Sequence, residues 1–266
     1  MIIEIHGAGF YNKGAELMLR TTIAELGHRL PSARFAIDPS YGPYSKRAQL
    51  GLYQLFPLRT HVGTPAFNFR LWRQKIVSSI FSDSVFKRIF GLFPLSLGIA
   101  TLSKIDAFVD ISGFAYSDQW GPKPIQDLAL LTKQYAGAKK PVILLPQAYG
   151  PFLQTESRKA FRSVLDDATL VYARDRKSFA YAKELSAQNN LFVAPDITFF
   201  YPDDKLPKTS QTPSEYVCVV PNTRMLDQGI DDWGKKYVSL LIDSINEITK
   251  YDLEIKILIH DTTGSI

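Results

Sequence analysis

The sequence has a single cysteine, Cys218, so no disulfide forms within the chain, and its apolar surroundings predict a buried thiol. Its four histidines, at positions 6, 28, 61 and 260, are scattered, and no His/Cys spacing typical of a zinc site occurs. No run reaches about 18 uninterrupted apolar residues, so we expect no membrane-spanning helix. No basic segment precedes the first apolar run, so we expect no signal peptide. These absences predict a cytoplasmic protein without a metal ion.

The composition is that of a folded globular protein, with 45% hydrophobic and 21% charged residues among 266. The net charge of +5 is unevenly distributed along the chain. Residues 42–104 contain nine basic residues and one acidic residue, a net +8, which leaves −3 for the rest. A basic block in an otherwise slightly acidic chain indicates a local patch and argues against nucleic acid as a partner.

Short apolar runs alternate with helical patterns along most of the chain. The runs predict strands over residues 2–6, 33–38, 105–112, 141–145, 170–173 and 191–194. Helical patterns lie between them, including one that begins after Asn12 and ends before Pro31. This alternation predicts an α/β fold with a parallel sheet that is covered on both faces.

We expect two domains. Residues 1–202 form a Rossmann-like domain that contains a basic aromatic helical insertion, about residues 42–104. Residues 203–215 are polar and interrupted by prolines, which is typical of a linker. The strand and helix pattern restarts over residues 216–266, too short a segment to bury a sheet. We expect it to be the start of a second Rossmann-like domain, truncated by the end of the chain.

Aromatic and basic residues interleave over residues 67–93 of the insertion, in the pattern of one or two amphipathic helices. Two interpretations are open. The segment rests on the inner face of an anionic membrane, as suits an enzyme with a lipid-linked acceptor. Alternatively, the aromatic side chains pack onto the sheet and the basic ones are solvated.

The first candidate motif is the glycine-rich turn GAGFYNKGAE at residues 7–16, between the first strand and its helix. Backbone N–H groups at such a helix N-terminus bind anions. The dinucleotide-binding fingerprint requires glycine where this chain has Asn12, so that motif is broken. A tight turn without a ligand is the alternative interpretation.

Later strands are followed by three further motifs. The sequence LLPQAYGPF places Gln147 at the carboxyl edge of the sheet, where ligands bind in open α/β folds. A loop stiffened by its prolines is the alternative interpretation of this motif. In VYARDRKS, Arg174 ends a strand beside a helix N-terminus that Asp175 can cap, a position suited to a phosphate or carboxylate. In APDITF, Asp196 has three possible roles: pairing with Arg174, binding a sugar hydroxyl and capping the next turn. For Arg174, an ion pair with Asp196 and no ligand is the alternative.

In this order and spacing, the motifs resemble the polysaccharide pyruvyl transferase family. The resemblance covers nearly the whole chain, including a segment from Val220 to Arg224 at the start of the second half. The matching residues are Gly7, Gly9, Asn12, Gly14, Ala15 and Glu16, then Ile111, Ser112 and Gly113, then Pro146, Gln147, Gly150, Pro151 and Phe152, then Ala173, Arg174, Asp175 and Ser178, and finally Pro195 and Asp196.

The resemblance implies two Rossmann-like domains of glycosyltransferase-B type that face each other across a cleft. It also implies transfer of the enolpyruvyl group of phosphoenolpyruvate onto a sugar of a cell-surface or exported polysaccharide. Phosphoenolpyruvate would then be a donor substrate, and no cofactor is implied. The acceptor would be a sugar or lipid-linked saccharide, and the product a pyruvate ketal. The donor-binding residues implied are Arg174, Asn12, Gly14, Gly9, Glu16, Ser178, Gln147 and Gly113, supported by Asp196, Asn222 and Arg224.

Proton transfer to the enol methylene requires a general acid. Members of the family carry an R-L-H-A-like motif whose histidine is the proposed acid, and this sequence lacks it, so we expect the acid beyond the chain end. His260 follows a strand and does not match that motif. Two other functions are open: a glycosyltransferase-B-type nucleotide-sugar transferase, and a non-catalytic protein that binds an anion or a sugar.

Overall fold

The computed structural model describes residues 1–7, 9–10, 12–56, 98–202, 215–222, 224–227 and 233–258. The chain divides into two units, Met1–Pro202 and Asp203–Ile266. Among the described residues, no helix is both long enough and apolar enough to span a membrane.

In the described part of the first unit, eight strands form one parallel sheet, in agreement with the predicted α/β fold. Its strands are β1 Ile2–His6, β2 Arg34–Ile37, β3 Tyr53–Phe56, β4 Ile99–Thr101, β5 Ala107–Asp110, β6 Val142–Gln147, β7 Leu170–Ala173 and β8 Leu191–Val193. Their order across the sheet is β4-β3-β2-β1-β5-β6-β7-β8. The chain therefore builds outward from β1 in one direction, then returns to add β5 on its other side.

Helices connect most of the strands. They are α1 Lys13–Arg29, α2 Tyr44–Gln49, α3 Lys123–Gly137, α4 Thr155–Asp167 and α5 Arg176–Lys183. The Asn12 side chain caps α1 by accepting from the Ala15 N–H at 3.1 Å. Asp175 caps α5 by accepting from the Ser178 N–H at 2.7 Å, as the sequence predicts.

The core lies on both faces of the sheet, because successive side chains of a strand point to opposite faces. In β1, Ile3 and Ile5 join one apolar cluster, whereas Ile2 joins the other with Phe108 of β5. All of these side chains are buried. Burial on both faces explains why the strands of the sequence are nearly continuous apolar runs.

The basic segment differs from its prediction at both ends. Residues 42–104 were expected to form a helical insertion, yet β3 and β4 lie within this range and extend the main sheet. Pairing within the sheet decides the conformation of both segments, because β3 pairs with β2 and β4 pairs with β3. Residues 57–97, and with them the amphipathic segment 67–93, lie outside the described residues.

In the second unit, β9 Tyr216–Val219 pairs in parallel with β10 Glu254–Ile257. Between them lie α6 Arg224–Asp227 and α7 Trp233–Ile248. The predicted burial of Cys218 was wrong, because in this two-stranded sheet its side chain is exposed. Most of the predicted linker, residues 203–214, and His260 lie outside the described part of the chain.

Candidate functional site

The predicted site residues of the first unit all lie at or just beyond the carboxyl ends of strands. Because the strands are parallel, these ends share one edge of the sheet, which we call the carboxyl edge. Gly9, Asn12, Gly14 and Glu16 follow β1, Gly113 follows β5, Gln147 ends β6, Arg174 and Ser178 follow β7, and Asp196 follows β8.

Arg174 and Asp196 form an ion pair across the ends of neighbouring strands. Nη1 of Arg174 lies 3.3 Å from Oδ2 of Asp196. The Arg174 side chain is 35% exposed, so the pair is only partly buried. Its backbone N–H donates to the Gln147 carbonyl at 3.0 Å, which fixes the main chain beside β6. The ion pair between these two residues is therefore present, and it engages Nη1 of a guanidinium that carries further N–H donors.

Asp175 and Ser178 form a local cap beside this pair. The carboxylate of Asp175 accepts from the Ser178 N–H at 2.7 Å and from the Ser178 hydroxyl at 2.8 Å. Burial raises the pKa of Asp175, but these hydrogen bonds and the Arg174 charge outweigh it, so the pKa lies below its ordinary value. Ser178 is buried with its hydroxyl turned toward Asp175, so it acts on the helix and not at the surface.

The turn after β1 packs directly against the turn after β5. Gly7 has φ +73°, and a Cβ there would lie 1.9 Å from Oγ and 2.6 Å from Cα of Ser112. Gly113, on the facing turn, has φ +70°, a conformation that favours glycine. The glycines therefore permit a close approach of two loops at the centre of the carboxyl edge.

Glu16, in the first turn of α1, is surrounded by basic side chains. Its carboxylate lies 2.7 Å from Arg20, 3.3 Å from Lys13 and 3.9 Å from Lys46. Burial raises the pKa of Glu16, but Arg20 and Lys13 lower it more, and the pKa lies below its ordinary value. Three cations around one carboxylate leave this corner of the carboxyl edge positively charged.

The buried carboxylate of Asp110, at the end of β5, was not predicted from the sequence. It accepts from the Tyr116 hydroxyl at 2.6 Å, the Ser112 N–H at 2.9 Å and the Gln147 side-chain amide at 2.8 Å. Burial and the Asp110 charge raise the pKa of Tyr116 far above its ordinary value, so its phenol remains a donor. Gln147, predicted to bind the donor, is itself fully buried in this network. The signal was present in the sequence as an acidic residue that ends an apolar strand.

His6, the last residue of β1, was also missed. Its Nδ1 lies 3.0 Å from the hydroxyl of Tyr41, and the two rings meet edge to face. In the sheet register His6 is opposite Asp110, so this ring borders the Asp110 network. Burial raises the pKa of Tyr41 well above its usual range, and the charge of Asp110 adds to this effect. A histidine directly before the first glycine turn was the available signal.

The chain returns from the last strand of the sheet to its first helix. After Asp196, the short 3-10 helix Ile197–Phe200 packs against α1. The loop after β8 therefore approaches the helix that follows β1, although β8 and β1 are separated by three strands. The sequence-distant motifs around Asp196 and Glu16 are brought to one side of the first unit in this way.

Two predicted supporting residues, Asn222 and Arg224, belong to the second unit. Asn222 follows β9, and its backbone N–H donates to the Tyr237 hydroxyl at 2.8 Å. Arg224 begins α6. Both residues thus lie beyond the end of a strand of their own sheet.

Comparison with protein families gives one match: the family described as polysaccharide pyruvyl transferase, over residues 12–265. No curated protein matches the chain.

Two solved structures resemble parts of the chain at low identity. A functionally uncharacterized protein from Klebsiella pneumoniae is 14% identical, with a TM-score of 0.37, over 84% of this chain and 57% of that one. A UDP-N-acetylglucosamine 2-epimerase from Rickettsia bellii is 13% identical, with a TM-score of 0.45, over 98% of this chain and 69% of that one. The chain thus spans less than two thirds of the Klebsiella protein.

Proposed function

The chain belongs to the polysaccharide pyruvyl transferase family, and on that premise we propose that it takes part in transferring the enolpyruvyl group of phosphoenolpyruvate to a sugar. The acceptor is a saccharide, free or lipid-linked, and the product is a pyruvate ketal. The observation that carries the proposal is the position of Arg174, which lies in the A-R-D-x-x-S motif and at the carboxyl edge with a partly exposed side chain.

Arg174 is suited to the donor because phosphoenolpyruvate carries both a phosphate and a carboxylate. A guanidinium presents a planar fork of N–H donors that binds either group through two hydrogen bonds. One Nη atom is engaged by Asp196, which holds the side chain at the sheet edge. The bond from the Arg174 N–H to the Gln147 carbonyl supports the same position from the backbone.

The N-terminal end of α1 supplies a second favourable region for the donor. Lys13, Arg20 and Lys46 surround Glu16 there, and the positive end of the helix dipole adds to their charge. Gly9, Asn12 and Gly14 shape this turn, and Gly113 lies on the facing loop. Gln147 and Ser178 are buried, so we assign them positioning roles: Gln147 through Asp110 and Ser178 through the Asp175 cap.

The proposed reaction is an addition to the enol carbon followed by a displacement at the same carbon. The methylene of phosphoenolpyruvate takes up one proton, and a sugar hydroxyl attacks the carbon that bears the phosphate. A second hydroxyl then displaces the phosphate. The two hydroxyls release two protons. One balances the proton that the methylene takes up to become a methyl group, and the other leaves with the phosphate. In this scheme the fixed cations of the carboxyl edge stabilise the donor and the departing phosphate.

The test is calorimetric titration of the chain with phosphoenolpyruvate and, separately, with UDP-sugars. Three variants accompany it: Arg174→Ala, Arg174→Lys, which keeps the charge but loses the fork, and the matched control Arg162→Ala on the exposed face of α4. We expect phosphoenolpyruvate to bind the unmodified chain and the control. Arg174→Ala should weaken binding by about 10- to 100-fold, because hydrogen bonds to charged groups contribute about 1.5–3 kcal/mol.

The other outcomes decide against the proposal. Binding of a UDP-sugar alone would support a nucleotide-sugar transferase instead. Unchanged phosphoenolpyruvate binding by Arg174→Ala would show that Arg174 does not bind the donor. Absence of phosphoenolpyruvate binding to the folded chain would show that the chain does not form the proposed donor site.

A further inference from the structure

Two aromatic side chains in the loop that follows β5 are partly exposed to solvent. Phe114 is 38% exposed and Trp120 is 37% exposed, whereas Tyr116 between them is buried. The rings of Phe114 and Trp120 meet edge to face, with centroids 6.4 Å apart and an interplanar angle of 72°. Large aromatic side chains with this exposure at a functional edge commonly mark a binding surface.

Hydrogen bonds hold this pair in place. The indole Nε1 of Trp120 donates to the Phe114 carbonyl at 2.8 Å, so the ring has a fixed orientation. The same loop is fastened to the loop after β6, because the Asp118 carboxylate accepts from the backbone N–H groups of Leu153 and Gln154. A surface fixed before its ligand arrives loses little conformational entropy on binding.

The pair lies close to the proposed donor residue. Phe114 directly follows Gly113, whose carbonyl accepts from the Ala148 N–H at 2.8 Å, and the adjacent Gln147 carbonyl accepts from the Arg174 N–H at 3.0 Å. These bonds tie the ends of β5, β6 and β7 together. Because neighbouring strands are about 4.8 Å apart, the chain at Gly113 lies roughly 10 Å from the chain at Arg174.

We propose that Phe114 and Trp120 form a stacking platform for the acceptor sugar. A pyranose ring has an apolar C–H face that packs on an aromatic ring, while its hydroxyls remain free to react. The face of an aromatic ring carries negative charge density, which disfavours the anionic donor. The platform therefore binds a neutral sugar, whereas phosphoenolpyruvate binds to the basic groups. This inference rests on the proposed function, since it assigns the acceptor side of the same edge.

The test uses a panel of methyl pyranosides: methyl glucoside, galactoside, mannoside and N-acetylglucosaminide. Saturation-transfer NMR with selective saturation of aromatic protons reports which sugar protons touch a ring. Affinities are then measured for Trp120→Ala, Trp120→Phe and Phe114→Ala. Phe192→Ala is the matched control, because this side chain is 43% exposed on β8, the edge strand of the sheet.

We expect saturation to reach the C–H protons of at least one pyranoside. Trp120→Ala and Phe114→Ala should each weaken its binding by about tenfold, the range of one aromatic contact. Trp120→Phe should retain binding within about threefold, because a ring remains for stacking. Phe192→Ala should have no effect, and phosphoenolpyruvate affinity should stay unchanged in all four variants.

Failure of this inference is distinguishable from failure of the proposed function. If phosphoenolpyruvate binds but no pyranoside receives saturation, or the Trp120 and Phe114 variants bind sugar normally, the platform assignment is wrong and the donor site stands. If a pyranoside binds through Trp120 but phosphoenolpyruvate does not bind, the platform stands as a sugar site and pyruvyl transfer is refuted. If Trp120→Ala does not fold, Phe114→Ala and the saturation experiment on the unmodified chain still decide the outcome.

Discussion

Nη1 of Arg174 lies 3.3 Å from Oδ2 of Asp196, and the other oxygen of the same carboxylate caps the following turn by accepting from the Thr198 N–H at 3.0 Å. One acidic residue thus holds the proposed donor-binding arginine and shapes the loop beside it. Because the pair is partly exposed, a substitution at Arg174 can separate its contribution to ligand binding from its contribution to folding.

Arg174→Ala should lower the free energy of unfolding by no more than about 1 kcal/mol, because partly exposed ion pairs contribute little to stability. Urea unfolding followed by circular dichroism measures the change, with Arg162→Ala as the reference. A loss well above that range would mean that Arg174 supports the fold, and a loss of phosphoenolpyruvate binding by the same variant would then no longer indicate direct contact.

Asp175→Ala should destabilise the first unit by about 1 kcal/mol at pH 7, through loss of the N-cap of α5. The net lowering of the Asp175 pKa means that this stabilisation is fully present above the pKa of the unfolded carboxyl. It is lost as the pH falls through the lower pKa of the folded state, that is, below pH ~4.

The difference between wild type and Asp175→Ala should therefore shrink in acid. Urea unfolding at a series of pH values measures it. Asp175→Asn is the control, because asparagine caps a helix without titrating and its difference from Asp175→Ala should stay constant. A gap between wild type and Asp175→Ala that persists below pH 3 would contradict the assignment.

Gly7→Ala should destabilise the first unit by about 2–4 kcal/mol, since it combines a strained positive φ with a clash against Ser112. The control is Gly51→Ala, at φ +64°, where no described atom lies within 4 Å of the added Cβ. The control should cost only about 1 kcal/mol of strain. Equal midpoints of thermal unfolding in the two variants would show that the turns after β1 and β5 do not pack as described.

Tyr116→Phe should cost about 1.5–3 kcal/mol, because it removes a hydrogen bond to a buried carboxylate. Asp110 would lose its 2.6 Å donor, while Gln147 and Ser112 would keep their bonds to it. Tyr44→Phe, at an exposed position in α2, is the comparison and should be nearly neutral. Denaturant unfolding of both variants provides the measurement, and a neutral Tyr116→Phe would argue against the Asp110 network as a support of the site.

Several elements of the fold were predictable because they depend on neighbouring residues. The strands and helices of the first unit follow from apolar runs and helical spacing, and the Asp175 cap of α5 follows from an acidic residue three positions before Ser178. The family motif around Arg174 is likewise local, and its position at the end of β7 needed only the alternation of strands and helices.

The sequence by itself thus determined the α/β class, the Asp175 cap of α5 and the placement of Arg174 at a strand end, since periodicity and hydrogen bonds within one turn decide these features. The tertiary structure decided the rest. Pairing with β2 made a strand of Tyr53–Phe56, and pairing of β5 with β6 brought Gln147 and Asp110 into one buried network. The exposed pair of Phe114 and Trp120 likewise depends on a loop fastened to another strand's end. Such contacts join residues far apart in the chain, and local sequence patterns do not predict which distant residues come into contact.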